Sequence, residues 1–174
     1  MGHSFLPTVA LLAATGMAAT LHVPGEYPDI PAAITAASDG DTVLVSPGTY
    51  GGPVGFQGKN IVLRSVAGPD QTVINTFWDF HAVMFTGAED STAVLEGFTV
   101  SNTLSNSYAD ARQAGRDIVE HGGGIYINGS SPTIRNNVIE YSVAGSGAGI
   151  ATFSSSAVIE DNVNRPGIAG DIIL

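Results

Sequence analysis

The sequence predicts an all-β chain wound as a parallel β-helix, a solenoid of about five turns with a short α-helix over its N-terminal end. Three observations carry this. Apolar triplets rich in β-branched residues recur along the chain, separated by Gly, Pro, Asn, Asp and Ser. One block repeats at a fixed offset: GGGIYINGSSPTIRNNVIEYS from Gly122 and GAGIATFSSSAVIEDNVN from Gly147. In it Gly124 meets Gly149, Ile125 meets Ile150, Ile134 meets Ile159, Asn137 meets Asn162 and Val138 meets Val163, always 25 residues apart. Finally, the 174 residues include 22 Gly and 9 Pro, with 44% hydrophobic and 13% charged, so turns and strands are favoured over helices and wholesale disorder is excluded.

In chain order, Phe5 to Ala19 is apolar and uncharged, too short to cross a bilayer, with small residues Gly16 and Ala18 near its end at positions suited to cleavage. It reads as a secretory signal peptide over 1–19, leaving one domain over 20–174. The expected location is therefore secreted or extracellular, by a bacterial type of export. No later segment is long and apolar enough for a spanning helix.

Next, Asp29 can cap a helix that starts at Ile30, with Pro31 in its first turn and Gly40 as a stop. Ile30, Ala33, Ile34 and Ala37 share one face. Strands are expected around Thr42–Val45, Ile61–Leu63, Thr72–Ile74, Val83–Phe85, Ala93–Leu95, Phe98–Val100, Ile125–Ile127, Thr133–Ile134 and Val138–Ile139. An earlier, looser copy places Leu95 against Ile134 at an offset of 39, the excess falling between Asn102 and Gly122. Further upstream, Val73 and Leu95, and Ile61 and Val83, are each 22 apart, which suggests the same period there.

A turn of 22–25 residues cannot bury its own aliphatic side chains. Stacking turns about 4.8 Å apart aligns them into a continuous core. Asn137 over Asn162 then predicts an amide ladder at a bend, compatible with ordinary turn chemistry. A β-sandwich would also suit short strands with Gly-rich turns, but it does not explain the fixed offset.

The run YPDIPAAI from Tyr27, then ASDGDTVLV from Ala37 and PGTY from Pro47, resembles the N-terminal cap of right-handed parallel β-helix proteins of the pectin-lyase-like superfamily. GKNIVLRS from Gly58 and GPDQTVI from Gly68 continue the pattern, and the Gly-Gly-Gly-Ile and Ser-Pro-Thr-Ile copies resemble a repeat found in many exported β-helix proteins. The resemblance covers roughly residues 21–165 and implies a right-handed coil. It spans lyases, hydrolases, epimerases and adhesins, so it speaks to fold more than to function.

Charge narrows the partners. A net charge of −10 with only 6 basic residues argues against nucleic acid, whose phosphates demand clustered Lys and Arg. Without Cys there is no disulfide, thiolate metal site or thiol nucleophile. Asn128-Gly129-Ser130 fits a glycosylation acceptor but reads better as a turn.

Lyases of the resembled superfamily combine Asp or Glu ligands for Ca²⁺ with an Arg or Lys that removes a proton alpha to a carboxylate. A cation stabilises the enolate-like state, and hard oxygens suit Ca²⁺. The segment between Asn102 and Gly122 is the richer place for such groups: Arg112, Arg116 and His121 as catalytic candidates, Asp110 for substrate, Asp117 and Glu120 for a possible Ca²⁺. The alternative is a solvated helical turn with Arg112, Arg116 and Glu120 at four-residue steps. A second polar group, Asp79, His81, Glu89 and Asp90, borders Val83–Phe85 and is expected at the surface. Trp78, beside Phe77 and Phe80, is a candidate for stacking on a sugar ring, together with Asp79.

The functional expectation is thus an exported, non-catalytic cell-surface or adhesion-type solenoid that contacts polysaccharide. The alternative is a polysaccharide lyase or glycoside hydrolase acting on an acidic polymer such as pectate or alginate. No capping helix is legible after Asn164, which leaves three expectations: the tail folds over the last turn, the open end meets a partner, or the chain is a fragment of a longer solenoid.

Overall fold

The computed structural model describes residues 17–76, 81–102, 123–142, 149–165 and the backbone of 172–173. The chain climbs in rungs. A first strand, β1 (Thr20–Val23), leads to helix α1 (Ile30–Ala36). The rungs follow: β2 (Thr42–Val45), β3 (Gly48–Gly51) and β4 (Val54–Gly55); then β5 (Val62–Ser65), β6 (Thr72–Thr76) and β7 (Val83–Phe85). Next come β8 (Val94–Glu96), β9 (Thr99–Asn102) and β10 (Ile125–Asn128), then β11 (Thr133–Arg135), β12 (Val138–Glu140) and β13 (Ile150–Phe153). The series closes with β14 (Val158–Glu160), β15 (Val163–Asn164) and β16 (Ile172–Ile173).

All pairing is parallel, between strands one rung apart. It builds a first sheet β1-β2-β5-β8-β11-β14, a second sheet β3-β6-β9-β12-β15 and a third sheet β4-β7-β10-β13-β16. This is a parallel β-helix, and the expected strands are all present. The alternating pattern explains the core. On the first sheet Val43, Leu63, Leu95, Ile134 and Ile159 stack in register, the first four fully buried. Inside the third sheet Phe56 packs on Phe85 with ring centroids 4.1 Å apart.

The 25-residue repeat sets the register of the rungs that contain it: Ile125 pairs with Ile150, Ile134 with Ile159 and Val138 with Val163. Leu95 pairs with Ile134, as expected. The upstream offsets of 22 do not hold. Leu95 pairs with Leu63, Val73 with Thr99, and Val83 with Val54. Unequal connections at 66–71 and 77–82 shift the spacing, and backbone pairing follows the core pattern rather than a constant count.

The N-terminal end is sealed as the sequence indicates. Asp29 accepts a hydrogen bond from the Ala32 N–H at 2.8 Å, and Ile30, Ala33 and Ile34 are buried against the core. The helix stops at Ala36, short of Gly40. Two interactions end it early. Lys59 Nζ donates to the Ile34 and Thr35 carbonyls at 2.7 and 2.8 Å, and the Asp41 carboxylate accepts from the Ser38 N–H at 2.8 Å. The expected leader, 1–19, falls outside the described residues except for 17–19, and β1 begins at Thr20.

Candidate functional site

Three corners join the sheets, and they differ in chemistry. Between the first and second sheets the bends at 97–98, 136–137 and 161–162 each carry a left-handed residue: Gly97 (φ 81°), Asn136 (φ 55°) and Asp161 (φ 53°). Such conformations suit Gly, Asn and Asp. The next residue binds rung to rung. Asn137 Oδ1 accepts from the Phe98 N–H at 3.0 Å, and its Nδ2 donates to the Leu95 carbonyl at 3.0 Å. Asn162 Oδ1 accepts from the Asn137 N–H at 2.9 Å, and Asn162 Nδ2 donates to the Ile134 carbonyl at 2.8 Å. The predicted amide ladder is therefore present.

Between the third and first sheets the key group is Glu89, almost wholly buried. Its Oε1 accepts from the Gly58 N–H and its Oε2 from the Gly87 N–H, both at 2.9 Å; the Ser130 hydroxyl donates to Oε2 at 2.6 Å. One carboxylate thus ties three successive rungs. Gly58 and Gly87 touch there, since a Cβ on Gly87 would lie 2.4 Å from the Gly58 Cα. The expectation of a surface position fails for Glu89: the backbone donors that converge on it replace water. Asp90 does stay exposed. Its carboxylate accepts from the Thr92 hydroxyl and N–H at 2.6 and 2.8 Å, which holds its acidity above the ordinary level.

Between the second and third sheets the connections have very different lengths: 52–53, 77–82, 103–124, 141–149 and 165–171. Chain order therefore assigns every sequence-predicted site residue to this one corner. Trp78, Asp79, Asp110, Arg112, Arg116, Asp117, Glu120 and His121 themselves lie outside the described residues.

Beside that corner, the outer face of the third sheet carries half-buried apolar and aromatic groups. Met84 and Tyr126 are in register, and the Met84 Cε lies 3.9 Å from where a Cβ on Gly55 would stand. The His81 ring stacks on Tyr126 with centroids 4.4 Å apart and planes 13° from parallel. Phe153 follows at 5.8 Å and 44°. The ladder spans three successive rungs. Sequence reasoning missed it because His81, Tyr126 and Phe153 occupy no common offset; an aromatic search along matched rungs would have joined Tyr126 to Phe153.

Charge is distributed differently. On the outer face of the first sheet Arg64, Glu96, Arg135 and Glu160 stand in register, and Glu96 Oε2 binds Arg64 at 3.1 Å and Arg135 at 3.0 Å. Arg165 binds Glu140 at 2.6 Å. Among the described residues, every Lys and Arg is thus held by a structural acceptor, Lys59 at the helix end included. The described residues bring no three of His, Asp and Glu together as ion ligands. The expected Ca²⁺ ligands Asp117 and Glu120 lie outside the described residues. No described helix is long and apolar enough to cross a membrane.

A family model described as a protein of unknown function, DUF1565, matches residues 54–174, from β4 onward, and the chain belongs to that family. No curated protein and no solved structure matches it.

Proposed function

We propose that this DUF1565 member is an exported, non-catalytic surface solenoid of the pectin-lyase-like kind, and that it contacts polysaccharide along the outer flank of its third sheet. The supporting observation is the ladder His81–Tyr126–Phe153, with Met84 and Gly55 beside it. Aromatic and apolar groups on a rigid sheet offer the C–H faces of sugar rings a low-entropy surface. Rungs repeat about every 4.8 Å, so the flank favours an extended polymer over a compact ligand. The net charge of −10 favours a neutral glycan.

Affinity electrophoresis of the full chain through gels containing neutral or acidic polysaccharides tests this reading. Retardation by a neutral polymer is expected. Tyr126→Ala should weaken it about tenfold, since ring stacking contributes roughly 1 kcal/mol beyond the area buried. No retardation by any polymer removes the reading.

The lyase reading keeps one observation in its favour: the connections that contain Arg112 and the acidic candidates all belong to the corner beside this flank. Incubation with pectate and alginate, with and without Ca²⁺, is read by absorbance of unsaturated products. Product formation that is lost in Arg112→Ala would replace the non-catalytic reading.

A further inference from the structure

The aromatic ladder of the third sheet has a polar neighbour. In β10 the buried Ile125 and Ile127 alternate with Tyr126 and Asn128, so the latter two share the outer face, about 7 Å apart along the strand. Asn128 is exposed and is the register partner of Phe153 on the next rung. Tyr126, Phe153 and Asn128 therefore form one triangle on the surface. The two rings are tilted by 44° with centroids 5.8 Å apart, and His81 stacks on Tyr126 from the rung before.

The residues that follow hold this amide in place. Gly129 bends the chain at φ 67°, and its N–H donates to the Phe153 carbonyl at 3.0 Å. Ser130 is buried; its hydroxyl donates to Glu89 Oε2 at 2.6 Å and accepts from the Ala88 N–H at 3.1 Å. The tripeptide Asn128-Gly129-Ser130 thus divides three tasks, with Ser130 as the tie, Gly129 as the bend and Asn128 as the side chain presented. The backbone that carries Asn128 is bonded to the rung before it through Glu89 and to the rung after it through Phe153. Such support fixes a polar group beside a binding surface before any ligand arrives.

An amide offers N–H donors and a carbonyl acceptor in one plane. Two adjacent hydroxyl groups on a sugar ring offer the matching acceptor and donor, while the C–H face of the same ring suits an aromatic side chain. A carboxylate on the ligand would use only the donors, and it would approach a molecule of net charge −10.

We propose that Asn128 sets the specificity of this flank: its amide bridges two adjacent hydroxyl groups of a sugar stacked against Tyr126 and Phe153, so the ligand is a neutral glycan whose vicinal hydroxyls are free. The assignment rests on the polysaccharide reading above and adds to it the residue that reads the sugar's edge. Stacking supplies contact with many sugars, and the amide rejects those whose hydroxyls are blocked, because its own polar atoms then lose their partners.

Affinity electrophoresis of the full chain tests this, in gels that contain xylan, deacetylated glucomannan or laminarin, each run beside its O-methylated form. The unmodified chain should be retarded by at least one native polymer and about tenfold more weakly by the methylated form of that polymer. Asn128→Ala should weaken binding of the native polymer about tenfold and leave the methylated form unchanged, so the discrimination disappears. Tyr126→Ala should weaken both forms alike, since stacking uses the face of the sugar and not its hydroxyls. Circular dichroism and an unchanged urea midpoint verify that Asn128→Ala keeps the fold, and the discrimination by the unmodified chain requires no variant at all. The assignment to Asn128 is overturned, with the polysaccharide reading intact, by an unmodified chain that binds both forms equally. An Asn128→Ala chain that still discriminates, or that loses both forms to the same degree, overturns it too. Retardation by no polymer removes both.

Discussion

From β8 upward, the corner between the first and second sheets keeps one two-residue bend, while the corner between the second and third varies widely in length. The first repeats its bend at 97–98, 136–137 and 161–162, with a left-handed residue each time and, at Asn137 and Asn162, an amide bonded to the rung below. The second accepts 52–53 in one rung and 103–124 in another. At Asn137 and Asn162, where the bend is bonded to the neighbouring rung, one inserted residue would break donors and acceptors in two rungs at once, whereas the connection 66–71 of the same corner, which has no such asparagine, runs to six residues. Where no such bonds constrain the bend, a connection can lengthen at little thermodynamic cost. Chemistry that varies while the scaffold stays the same belongs at the second kind of corner.

The comparison can be sharpened most at the third corner, where Glu89 bonds three rungs together although the connections range from 129–132 to 86–93 in length. Glu89→Ala strands the N–H groups of Gly58 and Gly87 and the Ser130 hydroxyl, all in contact with a buried carboxylate. It should cost about 4 kcal/mol, read as a lower urea midpoint at unchanged slope. A loss below about 1 kcal/mol would show that this corner is not pinned.

Asn137→Ala comes next. It orphans the Phe98 N–H and the Leu95 carbonyl and should cost about 2–3 kcal/mol. Asn162→Ala should cost less, because Asn162 is only half buried.

A pH titration probes the N-terminal seal. The Asp41 carboxylate accepts from the Ala19 and Ser38 N–H groups at 2.7 and 2.8 Å, and these bonds hold its pKa below the usual range. The folded value therefore lies below the unfolded one, so its stabilisation is present above pH of about 4 and is lost as pH falls through the folded value. Asp41→Asn should lower stability at neutral pH and flatten that acid limb. An unchanged limb in thermal melts from pH 5 downward would refute the assignment.

The smallest effect is expected where the rule is loose. Replacing 104–121 by a short Gly-Ser connection between β9 and β10 should change stability by less than about 1 kcal/mol. A collapse of the thermal transition would mean that this corner, too, holds the fold together.

Much of this was readable beforehand. Asp29, Pro31 and the Ile30/Ile34 face announced the cap, and the copies from Gly122 and Gly147 announced the register of their own rungs, down to Asn137 over Asn162. These signals are local or strictly periodic. The candidate site was legible only as a segment of chain, since Arg112 and its neighbours could be assigned to a connection but not to a constellation. Glu89 looked like one more surface acid. Its burial arises because Gly58 and Gly87 let two rungs touch and leave two N–H groups aimed at one carboxylate.

What the amino-acid order determined by itself was the kind of coil: period-two aliphatic triplets, turn residues between them and a helix to cover one end, all set by interactions within a few residues or one repeat. What only the tertiary structure decided was which residues meet across unequal connections. Leu63 lies under Leu95, His81 lies on Tyr126, and Glu96 lies between Arg64 and Arg135. Those neighbours are chosen by the pairing of whole strands, which maximises core burial over the full stack and is indifferent to how many residues lie in each loop.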